Sequence, residues 1–325
     1  MTENNNLLEI KNLKTYFYTP EGIVKAVDDI SFYLKYGESV GLVGESGCGK
    51  SVTALSIMKL ILPPGKIVGG EIIFNNTNLL NLKKSQLRKI RGKEIGMIFQ
   101  EPFISLNPLF SIGHQLTETL ILHNNMKKKD ALKEAIRILD AVGIPSPEKK
   151  LIEYPFRLSG GMCQRVMIAM ALACNPLLII ADEPTTALDV TIQVQILDLL
   201  RKKKNEFNTS LLLITHDMGI IAENVDRVII MYAGRIVETG PVKNIFKNPL
   251  HPYTKGLLAS VPQPNTDRKL KPRLDTIDGV VPGPFDLITG CSFAPRCHFA
   301  EKICNMRIPA IKAIKKDCEV SCWRY

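Results

Sequence analysis

Hydrophobic positions along the chain fall into two rhythms. The opening segments LLEIKNLKTYFY and KAVDDISFYL mix apolar and polar residues in the manner of strands and predict a β-rich start. Ser39–Val43 is a short apolar strand candidate, and the segment after residue 50, SVTALSIMKLI, carries the longer period of a helix. Further on, TETLILH and DALKEAIRILDAVGI place apolar residues three and four apart, which predicts a helix-rich stretch. Leu177–Ala181 is a continuous apolar run, as expected of a strand buried on both faces of a parallel sheet. Strands alternating with helices in this way make an α/β fold.

Between the strand candidate and the helix that follows it stands Gly44-Glu45-Ser46-Gly47-Cys48-Gly49-Lys50-Ser51, the G-x-x-x-x-G-K-S phosphate loop. Its glycines let the backbone curl so that successive N–H groups face phosphate oxygens, and the helix N-terminus adds its positive dipole end. Lys50 supplies a mobile charge, and the Ser51 hydroxyl is a ligand for Mg²⁺. A chance glycine-rich turn would lack this order of strand, loop, lysine, serine and helix. Cys48, a small side chain in mid-loop, is given no redox role.

Leu177–Ala181 ends in Asp182-Glu183. Two carboxylates at the C-terminal edge of a buried strand sit where open α/β sheets bind ligands. Asp182 is placed to hold hydrated Mg²⁺, and Glu183 to orient the water that attacks a γ-phosphate. A purely structural alternative, a carboxylate pair capping the next helix, suits Glu183 less well because Pro184 intervenes.

With both phosphate motifs in place, the chain resembles the ABC ATPase family over residues 7–240, about three quarters of its length. Five segments carry the resemblance. Gln100 in MIFQEP matches the Q-loop glutamine, which in that family reaches Mg²⁺ and the attacking water. Leu158-Ser159-Gly160-Gly161-Met162-Cys163-Gln164-Arg165 matches the signature motif, and Thr186-Ala187-Leu188-Asp189 looks like the D-loop. His216 in LLLITHD matches the switch histidine. Phe17 stands where the family stacks an aromatic ring on adenine, with Tyr16 as the fallback. A lone Gln or His would be unremarkable; their joint order around two phosphate motifs is what specifies the family.

The resemblance implies an ATPase domain over residues 1–240, with an antiparallel β subdomain and an α-helical subdomain at about 101–175. Residues 101–157 then offer the groove for a permease's coupling helix. Ser159, Gly160 and Gly161 open the helix QRVMIAMALAC and form a second anion-binding N-terminus. In the family it faces nucleotide held by the opposite subunit, so a complete site needs a head-to-tail dimer. Thr186 stands where serine is usual, Phe17 where tyrosine is commoner, and Arg157 where many importer ATPases have an acidic residue. No catalytic position is lost, and intact Glu183 and His216 argue against a non-hydrolysing regulatory partner.

Composition changes the picture at the C-terminus. Half of the twenty prolines and five of the eight cysteines lie in residues 241–325, which predicts a small loop-rich module tied by something other than a hydrophobic core. The net charge of +10 is concentrated there too, scattered singly among prolines as on a solvated basic face. Within this region HPYT, residues 251–254, matches a segment of oligopeptide and dipeptide importer ATPases. So does the spacing Cys291-x5-Cys297-x6-Cys304-x17-Cys322, and in the best-matching members those four thiolates bind a [4Fe–4S] cluster. From the residues alone three states stay open: a cubane cluster, a Zn²⁺ site lacking the usual C-x2–4-C pairs, and unligated thiols. Disulfides are disfavoured in the reducing compartment where ATP is used. Cys318 is a substitute for Cys322, and His251 reads as a packing residue.

The resemblance further implies a five-part importer: two integral membrane permeases, an extracytoplasmic binding protein, this chain and a paralogous second ATPase. It would work peripherally, on the cytoplasmic face of the membrane. The uncharged run between Arg165 and Asp182 is too short and broken to span a bilayer, and the N-terminus MTENNNLLEI has no secretion signal. Nickel importers with related ATPases are the nearest alternative. A soluble ABC ATPase acting on nucleic acid or the ribosome is the alternative from another class. Against it, the chain has one phosphate loop and one signature, and its tail lacks the aromatic-and-basic stripe that stacks bases.

Overall fold

The strands run in chain order as β1 Asn6–Thr19, β2 Gly22–Lys35, β3 Ser39–Val43, β4 Gly65–Phe74, β5 Thr77–Asn78, β6 Ile95–Ile98, β7 Leu178–Asp182, β8 Ser210–Thr215, β9 Arg227–Tyr232, β10 Arg235–Pro241, β11 Lys312–Lys315 and β12 Cys318–Val320. They come from a computed structural model, which describes residues 5–186, 188–261, 277–286 and 288–325. Ala187, the second D-loop residue, lies outside the described residues. The chain divides into two compact units: 1–7, 34–38 and 81–214 in one, and 8–33, 39–80 and 215–325 in the other.

The second of these units holds the β-rich opening. Its antiparallel sheet has the order β2-β1-β4-β5. In β1 the buried positions Leu8 and Ile10 give way to Leu13 and Thr15, so the two-residue alternation changes phase. The cause is a register shift between Lys11 and Lys14 opposite β4, with Asn12 in the left-handed region at φ 47°. An extra residue in one strand re-aims every later side chain. Alternation along the opening thus predicts the strand, while the bulge decides which residues face the core.

The same unit holds β3, all five of whose residues are buried, paired in parallel with β9. β9 is antiparallel to β10, β10 to β12, and β12 to β11. The C-terminal tail is therefore not loops alone. Val320 and Cys318 are buried where β12 extends this sheet, so the tail also draws on a hydrophobic core that the phosphate-loop strand shares.

The first unit contains β6, β7 and β8, parallel neighbours in that order and fully buried. Between β6 and β7 run the helices Ile112–Asn124, Lys128–Ala141, Pro147–Leu151 and Gly160–Leu172. Leu116, Leu120, Ala131, Ala135 and Leu139 bury their inner faces, the spacing that the sequence shows. Among the described residues no helix is long and apolar enough to cross a membrane.

Candidate functional site

The phosphate loop joins β3 to the helix Lys50–Ile57. That helix is shorter than the apolar periodicity predicts. It ends at Ile57, and Lys59 turns the chain through a left-handed φ of 50°. At the helix start, Gly49 is the N-cap with φ 102°, and a Cβ there would come within 2.2 Å of the Ala26 carbonyl oxygen. A Cβ on Gly44 would meet the Met231 carbonyl oxygen, also at 2.2 Å. Both positions need glycine for close backbone approach. Lys50 is 5% exposed, and its Nζ donates to the carbonyls of Gly44 at 2.8 Å and Glu45 at 2.9 Å. A buried ammonium held against a loop of backbone amides is a fit for a polyphosphate. Ser51 lies in the first turn of the helix, and Ser46 and Gly47 at the loop's outer bend. Cys48 is buried, and burial holds its thiol above the usual range against the pull of Lys50, which agrees with a packing role.

Phe17 is half-buried on β1, against Gly65 of β4. Tyr16 is committed elsewhere: its hydroxyl donates to Asp28 at 2.6 Å, and Arg235 pairs with the same carboxylate. Burial, with Asp28 beside it, pushes the Tyr16 phenol up to about 12. That engagement leaves Phe17 as the aromatic face available for stacking.

In the other unit, Asp182 is the last residue of β7 and 5% exposed. Glu183 follows with φ 44°, its N–H donating to the Ile214 carbonyl at 2.9 Å. Its carboxylate accepts from Gln100 Nε2 at 3.2 Å and from Thr186 Oγ1 at 2.8 Å. Gln100 comes from the segment after β6, so the carboxyl ends of two neighbouring parallel strands converge on one carboxylate. The turn is braced from below by Gln164, whose Nε2 donates to the Pro184 carbonyl at 2.6 Å. Asp189 caps the helix Val190–Phe207, accepting from the Ile192 N–H at 2.9 Å. Capping of that helix thus falls to Asp189 and not to Glu183.

Ser159 is the N-cap of Gly160–Leu172, with its hydroxyl accepting from the Met162 N–H at 3.4 Å. It is exposed, and Gly160 and Gly161 are half-buried in the first turn behind it. His216 stands directly after β8 and is exposed.

Cys291, Cys297, Cys304 and Cys322 line one small cavity, together with His251, Phe293, Phe299 and Trp323. All eight cysteines are free thiols. Among the described residues no group of three or more His, Cys, Asp or Glu is placed to hold a metal ion. The surroundings nonetheless suit sulfur ligands. Backbone N–H groups of Phe293 and Ala294 point at the Cys291 sulfur, that of Phe299 at Cys297, and that of Glu301 at Cys304, the last at 3.5 Å. Burial holds the Cys291 and Cys297 thiols above the usual range, and the amides directed at their sulfurs work against it, toward the thiolate form that metals need. Cys318 is elsewhere, buried on β12 and accepting from Asn244 Nδ2 at 3.2 Å. His251 is 1% exposed, its Nδ1 accepts from the Tyr253 N–H at 3.1 Å, and burial pushes its pKa down to about 4.

Three contacts have no signal in the sequence. Thr186 is legible only as a departure from serine, yet it holds Glu183. Tyr253, within HPYT, accepts from the Glu45 N–H at 2.9 Å, and Arg296 pairs with the Glu45 carboxylate at 2.8 Å. The last two join positions more than two hundred residues apart.

Comparison with known proteins agrees with these features. Residues 27–186 match the ABC transporter family, and residues 237–304 match the oligopeptide/dipeptide transporter C-terminal region. The oligopeptide transport ATP-binding protein AppD of Bacillus subtilis is 51% identical over 99% of this chain and 97% of its own. The oligopeptide transport ATP-binding protein OppD of Salmonella typhimurium is 48% identical over 98% and 94%. Among solved structures, the ATP-binding cassette MJ0796 in a dimeric post-hydrolysis state, bound to ADP and Pi, has a TM-score of 0.66. It is 31% identical and covers 72% of this chain and 98% of its own. The chain belongs to the ATP-hydrolysing ATP-binding subunits of ABC transporters, in the branch that carries the oligopeptide/dipeptide transporter C-terminal region.

Proposed function

We propose that this chain binds and hydrolyses ATP to drive import of di- or oligopeptides through a membrane permease. The observation that carries it is the Glu183 carboxylate, held by Gln100 and Thr186 directly after buried Asp182. A carboxylate held in this way orients the attacking water and takes its proton as the bond to the γ-phosphate breaks. Lys50 and the amides of Gly44–Ser51 bind the phosphates, and Phe17 stacks on the adenine. The family's motif order assigns Mg²⁺ to Ser51, Gln100 and Asp182, and the switch role to His216. The peptide cargo is supported by the match at residues 237–304 and by relatives named for oligopeptide transport.

The exposed N-terminus at Ser159–Gly161 supports service to nucleotide on a second ATPase, as does the dimeric state of the MJ0796 cassette. That second subunit is a paralogue of this chain. The assembly adds two permeases and an extracytoplasmic peptide-binding protein, with this chain on the cytoplasmic face of the membrane. The proposed division is an ATPase domain at 1–240 and a C-terminal region at 241–325.

In the tail, a [4Fe–4S] cluster on Cys291, Cys297, Cys304 and Cys322 is supported by their shared cavity and by the amides aimed at three of the sulfurs. The cluster's role is structural, tying together a proline-rich tail. A single tetrahedral Zn²⁺ would need the sulfurs about 3.8 Å apart, from Zn–S distances of about 2.3 Å. A cubane would tolerate the wider sequence spacing of these four cysteines, which lacks the C-x2–4-C pairs usual for zinc.

ATP-dependent uptake by the reconstituted complex, comparing dipeptides, longer peptides and Ni²⁺, tests the cargo. Uptake of Ni²⁺ alone would replace the peptide reading, and activity stimulated only by DNA or ribosomes would overturn transport. Anaerobically purified protein should be brown with about four iron per chain; a colourless sample with stoichiometric zinc decides for the other metal.

A further inference from the structure

The Gly44–Glu45 peptide of the phosphate loop is held at both ends. Its carbonyl accepts from Lys50 Nζ at 2.8 Å, and its N–H donates to the Tyr253 hydroxyl at 2.9 Å. The Glu45 side chain is fixed as well, by Arg296 Nη1 at 2.8 Å. Arg296 has little freedom of its own. Its side chain is 6% exposed, and its remaining nitrogens donate to the carbonyls of Asp278 at 3.0 Å and Ile277 at 3.2 Å. A guanidinium saturated in this way is a rigid strut, because each further bond removes a rotamer the side chain would otherwise sample.

That strut stands on the cysteine-lined turn. Arg296 ends the short turn Ala294–Arg296, which Cys291 and Cys297 bracket through hydrogen bonds to Ala294 of 2.9 and 3.2 Å. Phe293, on the same turn, packs edge-on to Tyr232 at 5.2 Å and tilted on Tyr253 at 5.4 Å. One short segment therefore presents sulfurs to the cavity on one side and holds the phosphate loop on the other.

We propose that Arg296 and Tyr253 are positioning residues of the ATP site, through which the cysteine-lined turn sets the conformation of the phosphate loop. The proposal rests on the reading that Gly44–Ser51 binds ATP. Without Tyr253 the Glu45 N–H loses its acceptor, and without Arg296 the Glu45 side chain loses its anchor; either loss loosens the carbonyl that aims Lys50.

The test is the affinity of the full chain for Mg-ATP, with melting temperature as the folding control. Arg296→Met and Glu45→Gln should each weaken binding about tenfold, and the double variant should be no weaker than either alone. Arg296→Lys should recover part of the loss. Turnover at saturating ATP in the assembled transporter should be retained in Arg296→Met. Tyr253→Phe keeps the aromatic packing and removes only the acceptor, so it serves if Arg296→Met does not fold. Unchanged affinity in both Arg296→Met and Tyr253→Phe overturns the proposal, as do losses that multiply in the double variant. Failure of the underlying ATP reading looks different: wild type would then bind no Mg-ATP, and Lys50→Ala would change nothing.

Discussion

Removal of the Thr186 hydroxyl tests how Glu183 is aimed. Thr186 Oγ1 donates to Glu183 Oε2 at 2.8 Å, and Gln100 donates to the same oxygen at 3.2 Å. A hydrogen bond to a charged group is worth roughly 1.5–3 kcal/mol when buried. Thr186 is exposed, so water replaces part of the lost bond and about 1 kcal/mol is the expected net effect. If that energy is felt in the transition state, Thr186→Ala lowers kcat about fivefold. Thr186→Ser keeps the hydroxyl and should stay close to wild type. The assay is steady-state ATP turnover in the reconstituted transporter, with saturating nucleotide and intact partner subunits. KM should move little, since the phosphate loop is untouched. Equal losses in Thr186→Ser and Thr186→Ala would refute the reasoning, because the methyl group rather than the hydroxyl would then be responsible. A change confined to KM would refute it as well.

Other consequences are checked more directly. Glu183→Gln should retain ATP binding while turnover falls by orders of magnitude; near-normal turnover in the assembled transporter contradicts its role as the water-orienting base. Gly49→Ala should cost at least about 1–3 kcal/mol, from the left-handed φ of 102° and the clash with the Ala26 carbonyl, read as a lower melting temperature and weakened ATP binding. Cys322→Ser should lose bound metal while Cys318→Ser keeps it, measured as metal per chain, because only Cys322 lines the cavity with the other three. His251 is held near pKa 4 by burial, below its unfolded value of about 6.5. The unfolded chain therefore takes up the proton first on acidification, and stability present above pH 6.5 is lost as pH falls toward 4. Between pH 7.5 and 5.5 that loss is about 1.4 kcal/mol, and urea titrations should show it in wild type and not in His251→Gln.

Much of the ATP site is legible in the sequence because its requirements are local. Gly44–Ser51 needs glycines, a lysine and a serine at fixed offsets between a strand and a helix, and residues 39–57 supply that order without tertiary help. Asp182-Glu183 is legible because a strand buried on both faces has to be apolar until it reaches the sheet's edge. The pattern is weaker where geometry depends on a local irregularity. The bulge near Asn12 reverses which residues of β1 face inward, and Lys59 ends a helix that periodicity would extend.

The chain's order alone pointed to the residues proposed for phosphate chemistry, since that chemistry fixes residue type and spacing within a few positions. Tertiary structure decided what holds those residues still. Thr186 is an unremarkable hydroxyl until it meets Glu183, and the choice between Cys322 and Cys318 depends on which one faces the cavity. Arg296 and Tyr253 reach Glu45 from 251 and 208 residues away. Contacts of that range leave no periodicity in the sequence, because they are set by how strands and turns pack and not by spacing along the backbone.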